Sequence, residues 1–274
     1  MTRTLGLIVF VAAAGLLPAA AWAADVFPDK KLEAAVRQQV FAKRGKTDPL
    51  SAEDVRHVST VNAAGLGVKD LRGLEHCIAL ASLDLSGNQV QDLKPIAKLS
   101  RLQSLQLSKN SIADLQPLEG LARLQYLDLS QNQVADLKPL AKLTAINTLY
   151  LSGNKVKDIT PLKDMKKLWS LYLGGNPVGD LSVVGELPWL SSLELSSCGL
   201  ANISALSKLR EIRFLDLRDN RIEDLGPLLE AAKKDAAGDQ RFAPFLRLYL
   251  KGNPLGAAAK QLPELKKLGV RIDP

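Results

Sequence analysis

Cysteine, histidine and aromatic residues are all scarce in this chain of 274 residues, which holds two cysteines, two histidines and 5% aromatics. Two thiols cannot build a disulfide framework or a four-thiolate zinc site. His57 and His76 show no H-E-x-x-H spacing, so a histidine-based metal centre has no basis either. No G-x-S-x-G nucleophile elbow is present. Gly45-Lys46-Thr47 imitates the tail of a phosphate-binding loop, but position 40 is Val40 and no apolar strand precedes it. The charge balance is only mildly basic, 36 Lys and Arg against 29 Asp and Glu, or +7. An apolar share of 46% is ample for a folded core.

One long hydrophobic run exists, at the start. Arg3 precedes an apolar stretch from Leu5 to Leu17, followed by Pro18 and Ala21-Trp22-Ala23. A charged lead, a short apolar segment and a small-residue site read as a secretory signal peptide over residues 1–23, cut after Ala23. An uncleaved anchor is the alternative, since Leu5 to Ala24 is 20 residues. No cysteine follows the cut to accept a lipid. The remainder is expected to be exported, periplasmic or secreted, with no membrane span.

A single period accounts for most of the rest. Asn88, Asn110, Asn132, Asn154 and Asn176 stand 22 residues apart, and Cys198 and Asn220 continue the step. An apolar frame travels with them: Leu80, Leu83, Leu85, Val90, Leu93, Ile96 and Leu99 in one unit, and Leu102, Leu105, Leu107, Ile112, Leu115, Leu118 and Leu121 in the next. The frame extends back to Val58 and forward through Phe245, Leu248, Leu250, Asn253 and Leu255. From Ile212 to Phe245 the step is 33, so 33 − 22 = 11 residues are inserted within 229–244, read as a lengthened helix to about Ala237 and a Gly238-Asp239 loop. Asp92, Asp114, Asp136, Asp158 and Asp180 also repeat, each two residues before a short turn that in most units carries proline. That position explains them without calcium, because one carboxylate per turn is a poor calcium site. Asn202 of the Asn202-Ile-Ser sequon takes the same structural place.

This LxxLxLxxN frame with its IxDLxPLxxL second half resembles the leucine-rich repeats of the bacterial internalin-like, 22-residue class. The resemblance covers residues 58–255. It implies an α/β leucine-rich repeat solenoid, a right-handed horseshoe with a parallel sheet on the concave face and short 3₁₀ or helical turns on the convex face. It also implies partner binding and, in some members, attachment to host cells. Eight full turns and a truncated ninth are expected, bounded by a helical N-terminal cap over residues 24–57 and a C-terminal cap over 256–274, because solenoid ends expose core. Leu32, Val36 and Val40 mark the cap's first helix, and Ser51-Ala52-Glu53-Asp54 opens its second. Cys77 and Cys198 lie 121 residues apart, more than five turns, which at ~4.8 Å per turn is about 25 Å. They are expected as buried, unpaired thiols.

Alternation along each strand turns the third, fifth and seventh positions of every unit outward. All four tyrosines fall on these rows, with Tyr126 on the third and Tyr150, Tyr172 and Tyr249 on the fifth. Strand propensity alone favours aromatics there, but solvent-facing tyrosines on a concave sheet also suit recognition. The expected partner-binding residues are Tyr126, Tyr150, Tyr172, Phe214 and Tyr249 as apolar anchors, with Asp128, Glu194, Asp216 and Arg218 as a charged rim. A protein or peptide ligand is expected, held by a monomer without cofactor or metal; a cell-envelope glycan is the alternative. Nucleic acid is excluded, since the cationic excess sits on convex positions such as Lys94, Lys138 and Lys166 instead of one groove. Glu194 and Asp216 stand on adjacent turns, yet an open sheet excludes no water, so no enzyme is expected.

Overall fold

A computed structural model describes residues 26–273. The proposed signal segment lies outside the described residues, so the structure is silent on it. Ten three-residue strands form one sheet in strict chain order: β1 Thr60–Asn62, β2 Ser82–Asp84, β3 Ser104–Gln106, β4 Tyr126–Asp128, β5 Thr148–Tyr150, β6 Ser170–Tyr172, β7 Ser192–Glu194, β8 Phe214–Asp216, β9 Arg247–Tyr249 and β10 Arg271–Asp273. All neighbours are parallel and paired at a constant register, Leu83 opposite Leu105 and Leu105 opposite Leu127. The return legs are short 3₁₀ turns, most opened by a proline at their first or second residue, as in Lys94–Ile96 and Gln116–Leu118. This is the leucine-rich repeat horseshoe.

The apolar frame fills the inside without exception through the regular turns; Leu80, Leu83, Leu85, Val90 and Ile96 have no exposed surface. A three-residue strand buries one side chain on that side, so each turn depends on its neighbours for cover. The asparagines supply the polar stitching. Asn132 donates from Nδ2 to the carbonyls of Leu107 and Leu129 and accepts from the Ile112 N–H at 2.9 Å, joining two turns with buried bonds. The recurrent aspartates each accept the N–H two residues on, Asp92 from Lys94 at 2.9 Å and Asp114 from Gln116 at 2.8 Å, and so fix the entry to the 3₁₀ turn.

The first end is closed by α1, Lys30–Arg37, and α2, Ala52–Val55. Leu32, Val36 and Val40 are buried as their spacing predicts. Ser51 and Asp54 form the reciprocal capping box at the start of α2. Asp29 caps α1 through Lys31 and Leu32 and also accepts the N–H groups of Lys69 and Asp70, which clamps the cap onto the first turn. At the other end α3, Gly226–Ala236, realises the lengthened helix of the insertion, and α4, Gln261–Lys267, leads into β10.

The C-terminal cap ends in β10, which pairs in parallel with β9 and carries the sheet one strand beyond the nine turns. Two expectations change. Phe245 and Asp216 depart from expectation. Phe245, expected in the core of the ninth turn, is 55% exposed with the Arg213 guanidinium 5.4 Å from its ring centre, and Leu246 is buried in its stead. The turn Ala243–Phe245 that follows the insertion brings the chain back to the core one residue late. Asp216, expected on the charged rim, is buried at 1% exposure. Both thiols are buried and unpaired, as expected.

Candidate partner-binding face

The sheet's outer rows carry the expected aromatic residues as one strip. Tyr126 and Tyr150 have ring centres 5.6 Å apart, and Tyr150 and Tyr172 are stacked at 4.5 Å with planes 18° apart. Phe214 lies 6.4 Å from Tyr172 and 5.4 Å from Tyr249, and the Arg218 guanidinium stands 5.6 Å from the Tyr249 ring. The strip alternates between the third and fifth rows: side chains on adjacent strands lean toward one another across ~4.8 Å at Tyr126–Tyr150 and Phe214–Tyr249, and the Tyr172–Phe214 contact spans β7. None of these rings is buried and none is fully exposed. Partial burial, then the nearby Asp128 carboxylate, push the Tyr126 hydroxyl up to about 12. Burial and Tyr172 shift Tyr150 in the same direction.

The acids divide into two kinds. Asp84 and Asp128 each use one oxygen on the N–H two residues on, of Ser86 and Ser130 at 2.9 Å, and are partly exposed. Glu194 is engaged on both sides. One oxygen takes the Ser152 hydroxyl at 2.9 Å and the Gly174 N–H at 2.7 Å, and the other takes the N–H and hydroxyl of Ser196. Gly174 leaves the room for this, since a Cβ there would lie 2.2 Å from the Glu194 carboxylate. Asp216 is held by Arg218 through Nε at 2.9 Å and Nη2 at 2.5 Å and by the Arg218 N–H. Of the expected rim, Asp128 and Arg218 therefore keep accessible surface, while Glu194 and Asp216 brace the sheet. Glu194 and Asp216 do sit opposite each other in register, but both are tied up in hydrogen bonds. Among the described residues no cluster of three or more His, Cys, Asp or Glu could hold a metal ion, and no helix is long and apolar enough to cross a membrane.

The row pattern does not reveal a second feature, on the flank where turns enter the sheet. Trp169 and Trp189 are 50% and 52% exposed. Beside Trp189, α3 and the loop after it line, together with the turns Ser182–Glu186 and Ser204–Lys208, an open cleft of about 720 Å³. Its walls come from segments twenty to fifty residues apart, so no local pattern announces it; the only sequence signal is the 11-residue excess after Leu228.

Comparison with known proteins agrees with this architecture. A family model for leucine-rich repeats (two copies) matches residues 78–120, 100–142 and 122–164. The chain is similar to the crystal structure of internalin C2 from Listeria monocytogenes, at 33% identity and a TM-score of 0.71 over 74% of this chain and 89% of that one. A leucine-rich repeat protein of Leptospira interrogans shares the fold at 22% identity and a TM-score of 0.63, over 81% of this chain and 62% of that one. None of the curated proteins matches.

Proposed function

The chain belongs to the internalin-like leucine-rich repeat proteins of bacteria, and from that premise we propose that it is an exported, monomeric, non-enzymatic module that holds a protein or peptide on its concave sheet. The observation that carries this reading is the continuous strip from Tyr126 through Tyr150, Tyr172 and Phe214 to Tyr249, part-exposed along a sheet whose remaining outward side chains are mostly small and polar. Rigid aromatic side chains give large contact area for little entropy loss, and they dominate recognition surfaces for that reason. Asp128 on one side and Arg218 on the other set the polarity of the contact.

The way the rings meet favours a polypeptide over a glycan. Tyr150 and Tyr172 turn their faces toward each other, so those faces are taken, whereas a sugar ring packs on an open aromatic face. Replacing Tyr150 and Tyr172 together by Ala is expected to abolish capture of the partner from envelope extracts. The melting temperature should move by no more than about 4 °C, the shift of roughly 1 kcal/mol in a domain of this size. Capture undiminished by the double substitution, or a collapse of thermal stability, would assign the rings to packing alone. Hits on a glycan array with no protein partner would move the proposal to an envelope-glycan binder.

A further inference from the structure

We propose that the cleft beneath α3 is a second binding site, separate from the sheet face, that takes an acidic peptide segment carrying one large apolar side chain. The cleft is preformed. Both oxygens of Asp235 are committed to the N–H groups of Arg241, Phe242 and Ala243, at 2.7, 3.2 and 2.9 Å, which pins the loop after α3. Lys233 ties the helix to Glu264 of α4 at 3.1 Å. A mere variation in repeat length needs neither tie, nor does it need to leave a cleft of about 720 Å³.

The lining specifies the occupant. The floor is apolar, made by Leu187, Leu209 and Phe242. The exposed indole of Trp189 also lines the cleft, next to Pro188, whose own φ is fixed. An aliphatic or aromatic side chain fits between them, where hydroxyl-rich sugar would desolvate without partners. The charges at the rim are numerically balanced but not equally available. Glu186 faces Lys208 at 3.9 Å, Glu211 is held by Arg241, and Asp235 is committed as above. Asp239, on the loop after α3, is also exposed and without an ion pair among the described residues, which leaves the uncommitted charges of the lining one positive in excess. Arg210 and Lys234 are exposed on opposite walls with no ion pair among the described residues. Two uncommitted cations across an apolar floor complement carboxylates on either side of an apolar anchor.

The test uses the full chain and the capped pentapeptide Glu-Glu-Phe-Glu-Glu, followed through the tryptophan indole N–H signals in nuclear magnetic resonance, with Trp189 assigned from Trp189→Phe. The Trp189 signal should move progressively with peptide, and its response should weaken as salt is raised. Substituting Arg210→Glu and Lys234→Glu together should raise the dissociation constant by about tenfold or more. Both side chains are exposed, so an unchanged melting curve confirms that the variant is folded. Tyr150→Ala with Tyr172→Ala should leave the titration as it was, which separates this site from the sheet face. A Trp189 signal that stays still up to the peptide's solubility limit, an equal response to Lys-Lys-Phe-Lys-Lys, binding that survives the charge reversal, or binding lost with the tyrosines would each overturn the proposal.

Discussion

Asn132 carries a load typical of the ladder asparagines. Its three buried bonds to Leu107, Leu129 and Ile112 have no replacement in Asn132→Ala. The substitution is expected to lower unfolding free energy by about 2–4 kcal/mol in denaturant titration, while Asn147→Ala, at an exposed position off the ladder, should change it by less than about 0.5 kcal/mol. The exception at Cys198 has a physical reason. Elsewhere the ladder carbonyl accepts an N–H from the previous turn, as Asn154 does from Val134. Before Cys198 the corresponding N–H, of Val178, is already bonded to the Asn176 carbonyl across Pro177. No acceptor is required, and a thiol that donates weakly to the Leu173 and Ser196 carbonyls suffices. Burial raises the Cys198 thiol to about 11 and Cys77 to about 12. Neither should react with Ellman's reagent at pH 8 in the folded protein, and both should react fully once it is denatured; labelling of one under native conditions would place it at the surface.

At the level of elements, two clamps set testable couplings. Gly174→Ala puts a methyl group onto the Glu194 carboxylate, and is expected to destabilise by about 1–3 kcal/mol. The backbone at Gly174 is not in the left-handed region, so Gly174→Ala in a Glu194→Ala background should cost markedly less. Purely additive effects would show the strain to lie elsewhere. Asp29 is the second clamp. Burial pushes its carboxyl up, but the N–H groups of Lys69, Asp70, Leu32 and Lys31 outweigh it and hold it below the usual range. A carboxyl whose pKa is lower folded than unfolded contributes stability above about pH 4, and loses it as pH falls through the folded value. Asp29→Ala should remove about 1–2 kcal/mol at pH 7 and flatten the acid side of the stability profile; an acid limb unchanged from wild type would rule the clamp out. Most elements were legible beforehand, since a 22-residue period needs no tertiary information. Phe245 was not, because an insertion hides the residue at which the frame resumes. Asp216 was not either, because alternation tells which way a side chain leaves the strand but not that Arg218, two residues on, will fold back over it.

Over the described residues, each turn touches chiefly its neighbours. The aromatic strip was legible because strict register converts row positions into spatial neighbours. The stacking of Tyr150 on Tyr172 was legible only as adjacency, and the cleft under α3 was not legible at all, since it arises between distant segments. Its predicted independence from the sheet face follows from the same linear construction: the two surfaces share turns but no side chain. The Glu194 brace departs from that construction, because it reaches past β6 to Ser152, two turns away. A duplicated cassette of residues 102–123 inserted at its own boundary should simply make a longer spring, with every stitch re-formed by an identical copy. The same cassette placed between Ser152 and Glu194 would separate hook from eye, so this protein is extensible near its beginning and fixed in length around its middle.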